Sequence, residues 1–337
     1  MSEVALSEAE IQVLASLYKA EAEEADTGKS ALEEGGTRYW WFQEDWTDAF
    51  PRLLAKGLID GDEQSYHLTR SGRPVAARYH AERPDMYWYY YQKFYPAARA
   101  SAAHSRLCER VFGMDLTQEG MTDMPALHHL LQLLDIKADD HVLDLGCGAG
   151  GIAEYVSDKL SAHVTGVDYA APAIAEARER TEDRRSRLEF VNGDMNCLEL
   201  PEQSFKVVIS LDTLYWVADL KDTMRQIEKL LKPGGQMGIF MLSDVPNGRT
   251  ADDYSASETS LGRCLGKLGL AFDAHDYTLQ NSAFWYRNYE AAKSLRDEFE
   301  KEGNGFIAAS LIREGEEDFL PSIEAGTLVR YLYHVRL

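Results

Sequence analysis

Positive charge is scarce in this chain. Its 337 residues hold 35 Lys and Arg against 56 Asp and Glu, a formal net charge of -21. Such a field repels nucleic acid and anionic membrane, so neither is a favoured partner. Cysteine is also sparse. Cys108, Cys147, Cys197 and Cys264 have neither disulfide-framework nor metal-ligand spacing, and they read as free thiols of a reducing, cytoplasmic setting, with no metal bound. No apolar run approaches the roughly 20 residues of a membrane span. The acidic start MSEVALSEAE lacks the apolar core of a secretory signal. These absences leave an acidic, water-soluble globular class. The length suits two domains or one elaborated domain.

The amino-terminal third has its own pattern. Val4, Ile11, Leu14, Leu17 and Tyr18 share one helical face within residues 4–25. Glu24 to Thr37 is polar and broken by glycine, which predicts a loop. A helix to Lys56 is stopped by Gly57. A hairpin turning at Asp60-Gly61-Asp62 follows, with Tyr66 to Thr69 as its return strand, and a further helix begins near Arg73. The pattern L-x-x-L-x-x-K-G-L-I…Y-x-L-T-x-x-G resembles a winged helix over residues 5–80. That resemblance would imply DNA, yet residues 1–80 hold 8 Lys/Arg and 15 Asp/Glu, a difference of -7, with no cationic stripe. A role in dimerisation or as a substrate lid is expected instead, with a solvated accessory domain as the other reading, and a homodimer through this domain is one expected assembly.

Asp85 to Gly113 is dense in aromatics. Tyr87, Tyr90, Tyr91, Phe94 and Tyr95 would cover much of one helix, which suggests packing between domains, with a few tyrosines free to line a pocket. From residue 139 the chain alternates. Continuous apolar strands are expected at 141–145, 163–168, 188–192, 207–211 and 236–242. Helices are expected between them at 151–159, 171–181 and 220–231. This is the signature of a doubly wound, mostly parallel α/β sheet. Two more strands are expected at 272–279 and 328–337, and a helical cap at about 281–322. The domain boundaries read as 1–82, a helical linker and lid at 83–138, and 139–337.

VLDLGCGAGG, Val142 to Gly151, ends the first of these strands and opens a helix. Four glycines in six positions permit a tight turn and let a ligand approach bare N–H groups. Gly146-x-Gly148-x-x-Gly151 formally fits a dinucleotide fingerprint. Asp144, two residues before the first glycine, would repel a pyrophosphate and suit a cation. S-adenosylmethionine (SAM) carries an ammonium and a sulfonium and no phosphate. Asp168 ends the second strand, 20 residues after Gly148, where a carboxylate accepts from ribose hydroxyls. Asp194 and Met195 follow the third strand and suit an adenine amino group and ring.

Taken in order, VLDLGCGAGG, GVDYA, NGDM, VVISLDTLYWV and LLKPGG resemble the class I SAM-dependent methyltransferases over residues 120–245. The resemblance implies a seven-stranded Rossmann-like sheet with an antiparallel last strand. It also implies SAM contacts at Asp144, Gly146, Gly148, Asp168, Tyr169, Asp194, Met195 and Leu211. QEGMTD, Gln118 to Asp123, resembles the segment that closes over the methionine end of SAM in small-molecule methyltransferases, which adds Gln118 and Gly120.

Methyl transfer needs an aligned nucleophile and little water. A base is needed for a hydroxyl acceptor and less so for a neutral amine. Tyr215, His104, His275 and Asp276 are candidates, none ranked above the others. Tyr215 and Trp216 are pocket candidates, and Trp285, Tyr286 and Arg287 suit an acceptor with an apolar or cationic part. A small metabolite, methylated on N or O, is the expected acceptor. Two other readings stand beside this one: a SAM-responsive regulator using the winged-helix-like domain, and an NAD-dependent oxidoreductase, which Asp144 and the Asp194-Met195 pair disfavour.

Overall fold

The computed structural model describes residues 5–36, 42–83 and 87–337, without the side chains of Tyr87, Trp88 and Tyr91. Val4, Thr37 and the side chains of Tyr87 and Tyr91, all named above, therefore lie outside the described residues. The chain forms two compact units, Met1–Phe94 and Tyr95–Leu337.

The first unit contains α1 (Glu8–Ala22), α2 (Lys29–Glu34), α3 (Ala49–Ala55), β1 (Ile59–Asp62), β2 (Ser65–Leu68) and α4 (Gly72–Glu82), then a π-helical segment, Tyr87–Phe94. A capping box starts α1: the Glu10 N–H donates to Ser7 Oγ, and the Ser7 N–H to Glu10 Oε2 at 2.7 Å. Leu14 and Leu17 then bury against Phe50, Leu53 and Tyr66. Two details differ from the sequence reading. The glycine-broken stretch 24–37 contains the short helix α2. The hairpin turns at Glu63-Gln64, because Asp62 pairs with Ser65 and its carboxylate accepts from the Gln64 N–H at 2.9 Å. Asp60 and Gly61 instead lie inside β1, paired with His67 and Tyr66.

The second unit begins with α5 (Tyr95–Ala100), α6 (Ala102–Val111) and α7 (Met124–Leu134). Alternation follows: β3 (His141–Leu145), α8 (Gly151–Leu160), β4 (His163–Asp168), α9 (Ala171–Arg180), β5 (Leu188–Asn192), β6 (Phe205–Leu211), α10 (Leu220–Leu230) and β7 (Leu231–Asp244). The chain closes with α11 (Ser260–Leu268), β8 (Ala271–Asp276), α12 (Thr278–Lys301), α13 (Gly305–Arg313), a π-helical segment Glu314–Phe319, α14 (Leu320–Glu324) and β9 (Leu328–Arg336).

The seven strands order as β5-β4-β3-β6-β7-β9-β8. β3 to β7 run parallel, and β9 is antiparallel to both neighbours. Successive residues of a strand point to opposite faces. Leu143, Leu145 and Val208 pack with Met224 and Leu261 on one side, while Val142, Val207 and Ile209 pack with Leu127 and Ala153 on the other. Both faces are covered, which is why the strands read as unbroken apolar runs. KPGG, Lys232 to Gly235, forms a bulge inside β7: pairing jumps from Phe205–Leu231 to Val207–Gln236. β8 ends at Asp276, earlier than the sequence reading, because α12 begins at Thr278.

Candidate functional site

β3 leads into the glycine turn at the carboxyl edge of the sheet, where adjacent parallel strands diverge. The Gly146 and Cys147 N–H groups both donate to Val167 O, at 2.8 and 3.1 Å, which ties the turn to β4. Gly150 has φ +78°, and a Cβ there would stand 2.3 Å from the Phe190 ring, so neither the backbone nor the packing admits a side chain. At Gly151 a Cβ would stand 1.9 Å from Leu116 O. The segment before α7 therefore lies directly on the start of α8. Tyr95 covers the turn from the other direction, its hydroxyl 3.0 Å from the position of a Gly148 Cβ.

Three carboxylates surround this turn. Asp144 is 2% exposed and its Oδ2 has no hydrogen-bond partner. Burial, reinforced by Asp168, pushes its carboxyl up to about 7. Asp168 accepts from the Gly148 N–H through Oδ2 and from the Ala170 N–H through Oδ1, both at 2.8 Å. Burial raises it above the usual carboxylate range, against the pull of those N–H donors. Asp194, half-buried, accepts from the Asn196 N–H and Nδ2 at 2.8 Å, which shapes the turn carrying Met195. Tyr169 follows Asp168 and is 37% exposed. Leu211 ends β6. Gln118 uses its side chain within its own loop, accepting from the Leu116 N–H and donating to Met114 O.

The catalytic candidates scatter. Tyr215 stands beyond the carboxyl end of β6, and its ring meets Trp216 at 5.6 Å. Asp212, Glu314 and Glu119 are its acidic neighbours and Arg330 the cationic one, and burial holds its hydroxyl far above the usual tyrosine value. Its 41% exposure shows that one side of the ring still faces solvent. His104 lies buried in α6 against Cys108, and burial lowers it to about 4, so it is neutral. His275 sits on β8, three strands from β6, a lateral distance of about 14 Å at strand spacing. Its ring packs on His129. Asp276 is spent on the Thr278 N–H.

Two groups near Tyr215 escaped the sequence reading. Glu119, within the QEGMTD segment, is raised well above the usual range by burial and then by Glu314. Glu314 opens the π-helical segment; burial raises it to about 6 although Ser310 Oγ donates to it. The second group is a buried bridge. Arg330 Nε and Nη2 donate to Asp212 Oδ1 and Oδ2 at 2.9 and 2.6 Å, and Nη2 also donates to Thr122 Oγ1 at 2.8 Å. Position 119 is signalled by its place in the lid segment. Positions 314 and 330 carry no sequence signal, since only the fold brings them to the edge.

A family model described as "Methyltransferase domain" matches residues 142–235, which span the glycine turn and all three carboxylates. Over that stretch the chain is similar to a methyltransferase domain. Residues resembling curated proteins extend the match. Phosphoethanolamine N-methyltransferase of Triticum aestivum is 31% identical over 179 residues, 53% of this chain and 34% of that protein. Sterol 24-C-methyltransferase ERG6A of Gibberella zeae is 34% identical over 115 residues, 34% of this chain and 30% of that protein. The chain thus spans about a third of the length of these relatives. In fold it is similar to Haemonchus contortus phosphoethanolamine N-methyltransferase 2 in complex with phosphomonomethylethanolamine and S-adenosylhomocysteine. That similarity has TM-score 0.59 at 18% identity and covers 73% of this chain and 60% of that one.

The residues of the methyltransferase domain fit the cofactor of that family. Asp144 offers a buried carboxylate oxygen without a partner, which is suited to a cation. Each Asp168 oxygen keeps a lone pair after accepting its backbone N–H, so ribose hydroxyls still have acceptors.

Proposed function

We propose that the chain is a SAM-dependent methyltransferase acting on the amine nitrogen of a small molecule. The observation that carries the cofactor reading is Asp144: a buried, unpartnered carboxylate at the head of a glycine turn, beside Asp168. On this reading Asp144 and the turn hold the methionine part, Asp168 and Tyr169 the ribose, and Asp194 and Met195 the adenine. SAM, when bound, supplies an electrophilic methyl carbon on a positive sulfonium.

The chain's own part is positioning and proton handling. The segment on Gly151 and the Tyr95 ring cover the turn and exclude water from it. Glu119 and Glu314 are acidic neighbours of each other and of Tyr215, with Arg313 beside Glu314 and Arg330 near Tyr215. Such a pair favours an ammonium group. It also holds a carboxyl whose raised affinity for protons suits it to take one from that ammonium before transfer. This supports N-methylation over O-methylation and makes Glu119 the candidate base. The phosphoethanolamine-methylating relatives are consistent with an amine acceptor. Residues 1–82 are read as a winged-helix-like accessory domain that serves assembly and not DNA.

The test supplies SAM with a labelled methyl group to full-length protein and a panel of small amines and alcohols. Label is expected in amines, with kcat about 100-fold lower in Glu119→Gln. Label in alcohols alone would remove the amine assignment. Failure to bind SAM or S-adenosylhomocysteine would remove the methyltransferase reading altogether.

A further inference from the structure

Three polar atoms on the cap helix have no partner. Asn281 Oδ1, Trp285 Nε1 and Asn288 Oδ1 make no hydrogen bond, although their residues are 2%, 4% and 3% exposed. They stand at i, i+4 and i+7 along α12, so they share one stripe about 10 Å long. The same stripe continues as Ala292, Leu295 and Phe299, all buried and apolar. Only its amino-terminal half is polar.

An unsatisfied buried polar group is costly, and three on one stripe are a feature that packing alone would remove. Their surroundings say what they face. Trp285 stacks on Phe319 at 3.7 Å, which brings in the π-helical segment headed by Glu314. Arg287 pairs with Asp123 at 2.9 Å, joining α12 to the segment that contains Glu119. Phe284 meets Phe112 at the end of α6. The Tyr277 N–H, one residue before α12, donates to Arg330 O, and Arg330 bridges to Asp212. Of these contacts the Trp285–Phe319 stack lies on the stripe itself, and it ties the polar half to the segment headed by Glu314.

We infer that Asn281, Trp285 and Asn288 form a hydrogen-bonding slot for the body of the acceptor. The acceptor is then a hydroxyl- or amide-bearing amine and not an amine on a hydrocarbon skeleton. Trp285 Nε1 supplies an unpartnered donor, and Asn281 Oδ1 and Asn288 Oδ1 supply unpartnered acceptors. Hydroxyl groups answer both needs. A sterol or prenyl body would leave all three atoms unsatisfied, a discrimination of the kind that buried polar sites enforce strongly. The inference rests on the amine reading above, and its test separates the two.

Three measurements on full-length protein decide it. S-adenosylhomocysteine affinity comes first; its absence would count against the methyltransferase reading and not against the slot. With that ligand bound, glucosamine and cyclohexylamine, amines on six-membered rings with and without hydroxyls, are compared by calorimetry. Glucosamine is expected to bind at least tenfold tighter, and the preference is expected to vanish in Asn288→Leu. Equal binding, tighter cyclohexylamine, or no binding of either at millimolar concentration overturns the slot. The third measurement needs no acceptor. Asn281→Leu and Asn288→Leu replace unpartnered amides by similar apolar volume, so each is expected to raise Tm while S-adenosylhomocysteine still binds. A fall in Tm would mean that the amides are satisfied in the folded protein, and the slot reading would fail.

Discussion

Arg330 and Asp212 form a two-point ion pair in which each side chain is 1% exposed. The pair joins β9 to the turn after β6, and Arg330 extends it to Thr122 of the segment before α7. Asp212 has φ +57°, so the bridge also holds a backbone conformation that Asp tolerates better than most residues. Removing one partner strands a buried charge. Arg330→Met is expected to lower unfolding free energy by about 3–5 kcal/mol in urea titration. Arg330→Met with Asp212→Asn is expected to recover part of that loss, since Asn keeps the left-handed preference without the charge. A single-variant loss below about 1 kcal/mol would show that water reaches the pair.

The bridge marks the limit of what the chain reveals unaided. Strands β3, β4 and β5 were legible to the residue, because both sheet faces are covered and apolar runs end sharply at Gly, Asp and Asn. Asp144 and Asp168 were legible as well, since local spacing places both at strand ends. Arg330 was not. It lies in an apolar run, LVRYLYHVRL, and its partner is 118 residues away. Glu314 was hidden for the same reason: nothing local in REGEED separates it from three solvated acidic neighbours. The hairpin failed differently. Asp60-Gly61 carries a strong turn signal, but the register set by Tyr66 and Leu68, both buried, moved the turn three residues on.

Asp144 makes ligand-free stability depend on pH. Its carboxyl is raised from the usual range to about 7. Between about pH 4 and pH 7 the unfolded chain has lost a proton that the folded chain retains, so stability falls as pH rises through that window. Above it the contribution is flat. Glu119 and Glu314, also raised, slope the same way. Asp144→Asn is expected to flatten part of the slope and to raise Tm at pH 7.5 relative to the parent, while weakening SAM binding. Thermal melts from pH 5 to 8 read the first effect and calorimetry the second. An unchanged slope in the variant would show that Asp144 is already ionised at pH 5.

The glycines of the turn are not equivalent. Gly150→Ala forces a Cβ to 2.3 Å from the Phe190 ring at φ +78°. Overpacking and backbone strain together predict a loss of about 2–4 kcal/mol. Gly148→Ala, at φ +54°, meets the Tyr95 hydroxyl at 3.0 Å and two carbons of its ring at 3.4 and 3.5 Å, a milder approach than at Gly150. Its stability loss is expected to be smaller and its loss of SAM affinity larger, because the new methyl group stands beside the Asp168-bound N–H. Urea titration and calorimetry on both variants separate these effects, and the reverse order would place the ligand elsewhere on the turn.

Asp168 shapes the turn and is the ribose acceptor proposed above. One oxygen takes the Gly148 N–H and the other the Ala170 N–H, each at 2.8 Å. The carboxylate therefore fixes the backbone on both sides of the ribose position before any ligand arrives. Asp168→Ala removes the acceptors of two backbone N–H groups as well as the proposed ribose contacts. Its effect on SAM binding is expected to be about 1.5–3 kcal/mol, roughly 10- to 150-fold in Kd, with a measurable fall in Tm. Asp168→Asn tests the division. Its carbonyl oxygen still accepts one N–H, but its amide presents a donor to the other, so it is expected to keep part of the fold and lose most of the affinity. Calorimetry with SAM and S-adenosylhomocysteine, run beside thermal melts, reads both quantities. If Asp168→Asn bound SAM as the parent does, the carboxylate would be a turn-forming group alone, and the ribose would have to be held from Tyr169 or Asp194.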